Sequence, residues 1–213
     1  MPSLAPITTE SGTGRYYRDR ALAYSKATLG VDMSKIYDRF LGYLPKPARI
    51  LDAGSGSGRD TLAFKKLGYD VDAFDASPEL CALSIERTGV PTRLLRFQEF
   101  DSEPLYDGVW ACASLLHVPA RELSEVFRRL IRGLKPRGAF YSSFKYGLEE
   151  RYSEDGRFFL DMDSARLHAL ISCISNASIS EIWFSHGEGC RNGQETWINS
   201  IVVKRSGANQ NRA

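Results

Sequence analysis

Between Ile50 and Asp60 the chain reads Ile-Leu-Asp-Ala-Gly-Ser-Gly-Ser-Gly-Arg-Asp. The apolar run Ala48-Arg49-Ile50-Leu51 predicts a buried strand. It ends in an acid, Asp52, and in three glycines on alternate positions, Gly54, Gly56 and Gly58. Amphipathic sequence from Thr61 to Leu67 predicts a helix directly afterwards. Glycine lets the backbone turn at positive φ and lets a ligand approach the main chain closely. The following helix points its free N–H groups into the turn. Strand, glycine turn and helix together predict a nucleotide-sized pocket in an α/β fold.

Two ligand classes use this arrangement. Dinucleotides place a pyrophosphate at the helix N-terminus and carry the pattern G-x-G-x-x-G or A. Counted from Gly54 the sixth position is Arg59, and counted from Gly56 it is Thr61, so the pattern fails from either start. Asp52 would also repel a buried pyrophosphate. S-adenosylmethionine carries no phosphate but has a sulfonium and an α-ammonium, which makes an acid at the strand end an asset. The next predicted strand, Tyr69 to Asp75, ends in a second acid 21 positions after Gly54. That is the spacing of a carboxylate that accepts from both ribose hydroxyls. Ser77 reads as an N-cap and Pro78 as the first position of a helix running to about Arg87.

The segment resembles the class I S-adenosylmethionine-dependent methyltransferases. Asp52 to Gly58 is similar to that family's glycine motif, and Asp75 to its ribose acid. Asp107-Gly-Val-Trp-Ala-Cys-Ala-Ser-Leu-Leu-His117 resembles the family's fourth strand, and Leu134-Lys-Pro-Arg-Gly-Ala-Phe-Tyr141 the turn into its fifth. These motifs cover roughly Ala48 to Phe144. The nearest type is the small free-standing enzymes of the tellurite-resistance-methyltransferase kind. The resemblance implies a Rossmann-like, doubly wound, mostly parallel seven-stranded sheet, an antiparallel last strand and an N-terminal helical cap closing over the pocket.

Length and composition agree with one globular domain. The chain has 213 residues and a net charge of +2, too little for an electrostatic nucleic-acid binder. The cysteines Cys81, Cys112, Cys173 and Cys190 form no C-x-x-C pair and no zinc spacing, so no metal site is expected and a reducing cytoplasm suits them. No apolar run approaches the ~18 residues of a membrane span, and no signal peptide is read at the N-terminus. The expected organisation is a mobile segment 1–13, a domain 14–204 with the cap in 14–46 and the core in 47–204, and a disordered tail 205–213. Oligomeric state is not legible.

Along the chain, helices are expected at Tyr16 to Thr28, from Asp32 until Pro45 and Pro47 stop it, from Ala120, and after a cap at Asp163 or Ser164. Strands are expected at Thr92 to Phe97, Gly108 to Ala113, Ala139 to Phe144, Ser178 to Ser185 and Thr196 to Lys204. Lys145 to Met162 reads as a long loop. Alternating strands and helices imply a parallel sheet whose ligands sit beyond the carboxyl ends of the strands.

The candidate cofactor-binding residues are Asp52, Gly54, Gly56, Gly58, Asp75, Ala76, Gln98, Glu99, Cys112 and Ala113. Family alignment puts Gln98 where an acid usually accepts from the adenine amine, and Glu99 is the other candidate for that place. His117 is the candidate catalytic residue, as a general base or an acceptor-positioning group, with a packing role beside Pro119 as the alternative. Tyr17 and Tyr146 are the candidate cap and substrate contacts; Lys145, Arg151 and Tyr152 could meet an anionic substrate. Arg59 and Asp60 read as charge at a helix start, with Arg59 also able to reach the cofactor carboxylate. The expected activity is in-line methyl transfer from S-adenosylmethionine to a small-molecule acceptor. The alternatives are an NAD(P)-dependent Rossmann oxidoreductase and a non-catalytic cofactor-binding regulator; a nucleic-acid or membrane partner is not expected.

Overall fold

The computed structural model describes residues 11–186 and 195–206. Its elements in chain order are α1 (Gly12–Thr28), α2 (Ser34–Leu41), β1 (Arg49–Ala53), α3 (Arg59–Lys66), β2 (Asp70–Asp75), α4 (Pro78–Thr88), β3 (Thr92–Leu94), β4 (Tyr106–Ala111), α5 (Ala120–Gly133), β5 (Leu134–Lys145), β6 (Glu150–Tyr152), β7 (Phe158–Leu160), α6 (Ser164–Ser172), β8 (Ala177–His186) and β9 (Thr196–Lys204). Single 3-10 turns lie at Phe97–Glu99 and Leu115–His117.

Seven strands form one sheet in the order β3–β2–β1–β4–β5–β9–β8. The pairs β1–β2, β1–β4, β2–β3 and β4–β5 are parallel. β9 runs antiparallel to both β5 and β8, so the last strand is the reversed one, as expected. Its reversal follows from connectivity: β8 and β9 are joined by a short link, which can return only in the opposite direction.

Both faces of the sheet are covered, so its central strands are apolar on both sides rather than alternating. Leu51, Val109, Ala111 and Phe140 join one core with Leu123, Val126, Phe127, Leu130 and Ile131 of α5. Ile50, Trp110, Tyr141 and Ile201 join the other with Ile36 and Phe40 of α2 and Phe64 of α3. The inward face of α5 is the one its periodicity predicts. Outside it, Arg128 pairs with Glu125 and Arg132 with Asp101, so the basic run is a solvated face.

Several boundaries differ from the sequence reading. Ser11 caps α1 by accepting from the Gly14 N–H, so the helix begins at Gly12 and takes in Thr13. Residues 1–10 of the expected mobile segment 1–13 lie outside the described residues, as do 187–194, and 207–213 of the expected tail 205–213. α2 ends at Leu41, ahead of the prolines expected to stop it. β3 stops at Leu94 and a 3-10 turn replaces its predicted end. β5 starts at Leu134 rather than Ala139, with an irregular register between the Leu134 and Ala139 pairings that takes up Pro136, which has no N–H to give a ladder. The predicted loop 145–162 contains the antiparallel hairpin β6–β7. Its alternation was hidden because each strand has only three residues.

Candidate functional site

The turn after β1 is pinned to the end of β2. Gly54 and Ser55 donate their N–H groups to the Phe74 carbonyl at 2.9 and 3.0 Å. The three glycines all have positive φ, but for different neighbours. A Cβ on Gly54 would lie 2.5 Å from the Ser114 Cβ, and one on Gly58 would lie 2.8 Å from atoms of Ser84 and Thr88. These two permit close packing against the β4 loop and α4. A Cβ on Gly56 would meet only the Tyr24 ring, at 3.5 Å. Gly56 is therefore the glycine that faces α1, the helix of the expected cap.

Asp75 closes the other side of the turn. Its carboxylate accepts from the Gly56 N–H and the Ser77 N–H, both at 2.9 Å. Burial raises its pKa, opposed by N–H donors from Ser77, Gly56 and Ala76. Ala76 itself is exposed at the rim. Ser77 caps α4, with Pro78 in its first turn, as the sequence predicts.

Asp52 lies inside β1 and is almost fully buried, accepting from Thr61 Oγ1 at 2.6 Å. Burial, together with the neighbouring Asp60 charge, pushes its pKa up to about 8. Asp60 is buried as well. It accepts from Arg59 Nε at 2.6 Å, Tyr37 Oη at 2.5 Å and Trp110 Nε1 at 2.8 Å. Burial would raise its pKa, but the Arg59 guanidinium and these donors hold it below the usual carboxylate range. Read as helix-start charges, Arg59 and Asp60 gave no sign of this: their partners come from α2 and β4, far away in sequence. Arg59 also reaches the Thr28 carbonyl at 3.5 Å and Cys112 Sγ at 3.7 Å, which joins the end of α1 to the end of β4.

Cys112 and Ala113 follow β4. Ala113 has φ +50, unusual for a non-glycine residue, and its N–H donates to Ser143 Oγ at 2.8 Å. Burial and the Asp60 charge push the Cys112 thiol up to about 12, the opposite of an activated nucleophile.

α1 meets the turn after β4 through a column of aromatic rings. Tyr17 packs edge-on against Tyr24 at 5.1 Å and against His117 at 5.6 Å. The Tyr17 hydroxyl lies 2.9 Å from His117 Nε2, and His117 Nδ1 lies 2.6 Å from the Phe158 carbonyl. Burial lowers the His117 pKa to about 4, with Arg157 and Lys145 acting in the same direction. The ring is neutral near pH 7.

Gln98 and Glu99 diverge. Gln98 is half-buried and donates Nε2 to Glu122 Oε2 at 2.8 Å, whereas Glu99 is exposed and accepts from the Arg96 N–H at 3.0 Å. Tyr146 is half-exposed and packs edge-on against Phe184 at 5.3 Å. Lys145, Arg151 and Arg157 all face the Phe159 ring, and each also pairs with an acid: Glu195, Asp161 and Asp155. His168 and His186 make exposed local contacts. Among the described residues no cluster of His, Cys, Asp and Glu could hold a metal ion. No helix among them is long and apolar enough to cross a membrane.

The family model described as Methyltransferase domain matches residues 24–187, which hold the glycine turn, Asp75 and His117. The chain belongs to this methyltransferase family. An uncharacterized methyltransferase of Staphylococcus carnosus (strain TM300) is 24% identical over 149 residues, covering 69% of this chain and 66% of that protein. The N-terminal Xaa-Pro-Lys N-methyltransferase 1 of Bos taurus is 29% identical over 129 residues, covering 56% of this chain and 55% of that protein. The chain thus spans roughly half to two thirds of the length of its curated relatives. Among solved structures, the 1,6-didemethyltoxoflavin-N1-methyltransferase of Burkholderia thailandensis superposes with a TM-score of 0.72 at 23% identity, covering 90% of this chain and 85% of that one. Its structure contains 1,6-didemethyltoxoflavin and S-adenosylhomocysteine. The likeness establishes the Rossmann-like methyltransferase fold for this chain.

Proposed function

We infer that this member of the methyltransferase family is an S-adenosylmethionine-dependent enzyme acting on a small-molecule acceptor. The observation that carries this reading is the Asp75 carboxylate locked onto the Gly56 N–H. It sets an acid with spare lone pairs beside the one glycine that faces the cap, where a ribose diol finds two acceptor oxygens and no phosphate is called for. The donor set fits the cofactor elsewhere too. Asp52 is a buried acid whose ionised form a cationic group beside it would favour. Gln98 has its amide nitrogen engaged by Glu122, which leaves the amide oxygen to accept from an adenine amine. Gly54, Gly58, Ala76, Cys112 and Ala113 form the backbone around these side chains, and Glu99, turned to the Arg96 N–H, is the weaker adenine candidate.

S-adenosylmethionine, when bound, supplies a methyl group already activated on sulfur. The chain then has to orient the acceptor, exclude water and take up any proton released. Orientation alone can supply roughly 7–11 kcal/mol. His117 is the proton acceptor in this reading and works through Tyr17. A carbonyl only accepts, so the hydrogen on Nδ1 points at Phe158, the lone pair lies on Nε2, and the Tyr17 O–H donates to it. Tyr17 can receive a proton from the acceptor while passing its own to Nε2. A base this weak suits an acceptor that becomes strongly acidic on methylation, such as a hydroxyl or a weakly basic ring nitrogen, rather than an ammonium. The small-molecule substrate of the Burkholderia relative supports this class. Tyr146, half-exposed beside Phe184, is a second acceptor contact in the proposal. Cys81, Cys112 and Cys173 are free thiols, which suits work in the reducing cytoplasm.

Isothermal titration of the full chain with S-adenosylmethionine and with NAD tests the reading. Saturable binding of the first and none of the second is expected; tight NAD binding without S-adenosylmethionine binding overturns it in favour of an oxidoreductase.

A further inference from the structure

Phe158 is used through its backbone on both sides of its Cα. Its N–H donates to Thr13 Oγ1 at 2.9 Å, and its C=O accepts from His117 Nδ1 at 2.6 Å. Tyr17, one helical turn after Thr13 on α1, completes the path to His117 Nε2 at 2.9 Å. Thr13, Phe158, His117 and Tyr17 thus close a ring that joins the first turns of α1, strand β7 and the 3-10 turn after β4. Every donor in the ring is fixed. Phe158 must donate to Thr13 because an amide nitrogen has no lone pair to offer, and Nδ1 must donate because a carbonyl has no hydrogen.

Two contacts hold the hairpin against α1 at the same place. A Cβ on Gly12 would lie 2.2 Å from the Gly156 carbonyl oxygen, so backbone touches backbone there. Arg157 stacks over the Tyr16 ring, 4.1 Å from its centroid. The groups facing the imidazole are Tyr17 from α1, Phe159 and Arg157 from the hairpin, Lys145 from β5 and Asp155 from the hairpin turn. Burial, with the two cations acting in the same direction, disfavours an imidazolium, and the neutral ring therefore has a choice of two tautomers. Only the Phe158 carbonyl decides between them.

We propose that Thr13 is a positioning residue for the Tyr17–His117 pair: by holding the Phe158 backbone through its N–H it places the Phe158 carbonyl, fixes His117 in the Nδ1–H form and keeps Nε2 as the proton acceptor behind the Tyr17 hydroxyl. The proposal rests on the reading of His117 as proton acceptor, but the tautomer is measured without acceptor or cofactor.

The experiment is 15N NMR of the imidazoles in the full chain. There are three histidines, and the His117 signals are those lost in His117→Gln. The wild type is expected to show one neutral tautomer with its hydrogen on Nδ1. Thr13→Val keeps the side-chain size but removes the acceptor, and should give His117 signals averaged between two tautomers; Thr13→Ser should restore the single form. Gly12→Ala, which pushes the hairpin away through Gly156, should reproduce the averaged signature by an independent route. A wild-type hydrogen on Nε2 overturns the proposal, and so does a His117 spectrum unchanged in Thr13→Val and Gly12→Ala. Titration of the same wild-type sample with S-adenosylmethionine separates the two readings. A fixed Nδ1–H form without cofactor binding leaves the ring in place and removes the methyltransferase assignment.

Discussion

Gly56 donates its N–H to Asp75 Oδ2 at 2.9 Å, joining the middle of the glycine turn to the end of the neighbouring strand. The two motifs read separately in the sequence are thus one structural unit. The carboxylate fixes the turn that forms the floor, and the turn fixes the carboxylate.

Removing that carboxylate should therefore act twice. Asp75→Ala is expected to weaken S-adenosylmethionine at least tenfold in isothermal titration, because ribose hydroxyls left unpaired in a buried site cost about 1–3 kcal/mol each. It should also lower the urea midpoint modestly, since the Gly56 and Ser77 N–H groups lose their acceptor. Unchanged affinity would refute the ribose role.

The hydrogen bond from Gln98 to Glu122 separates two neighbours that the sequence leaves equivalent. Gln98→Ala should weaken the cofactor several-fold, whereas Glu99→Ala should leave affinity within twofold, the change expected of an exposed side chain. Parallel titrations of the two variants check this, and the reverse order would reassign the adenine contact to Glu99.

The parts legible in the sequence are those fixed by local pattern. The Ser77 cap, the inward stripe of α5 and the turn after β1 each follow from residues close together in the chain. What was missed depends on pairs distant in sequence. The partners of Asp60 are Tyr37 and Trp110, from α2 and β4, and no local pattern marks an aspartate at a helix start as buried. Phe158 binds Thr13 and His117 through its backbone, which carries no side-chain signature at all. Three-residue strands such as β6 and β7 are likewise too short for alternation to stand out.

The Arg59–Asp60 pair makes a clear demand on stability. Asp60→Ala leaves a largely buried guanidinium without its carboxylate and strips Tyr37 and Trp110 of an acceptor. Breaking a buried pair in this way costs about 3–5 kcal/mol. Chemical denaturation should show a loss of that size, against a change below about 0.5 kcal/mol for Arg128→Ala on the exposed face of α5. A small effect for Asp60→Ala would show that Arg59 can turn to solvent.

Asp52 predicts a pH effect of unusual sign. Its folded pKa, about 8, lies above the 3.8 of a free aspartate, so across that interval the folded state holds a proton that the unfolded state has released. The contribution to stability is complete at low pH and is lost as pH rises towards 8. Asp52→Asn keeps an oxygen for Thr61 without the ionisation. It should therefore gain stability relative to wild type as pH rises from 6 to 9 in urea titrations, and a constant difference would place the Asp52 pKa in the ordinary range.

His117 predicts the opposite slope on the acid side. Its pKa is about 4 in the fold against 6.5 for the free side chain, so below pH 6.5 the unfolded chain takes up a proton that the folded chain refuses. Its contribution is complete above 6.5 and is lost as pH falls through 6.5 towards 4. At about 1.4 kcal/mol per pH unit the loss approaches about 3 kcal/mol. Titrating carboxylates such as Asp155 add their own acid dependence, so the measurement is a difference. Urea midpoints of wild type and His117→Gln are followed from pH 8 to pH 4. Wild type should lose stability relative to the variant across this interval, because glutamine cannot be charged. Parallel curves would mean that His117 protonates in the fold as readily as in the unfolded chain. That result would remove the depressed basicity on which the choice of an acceptor that turns strongly acidic rests.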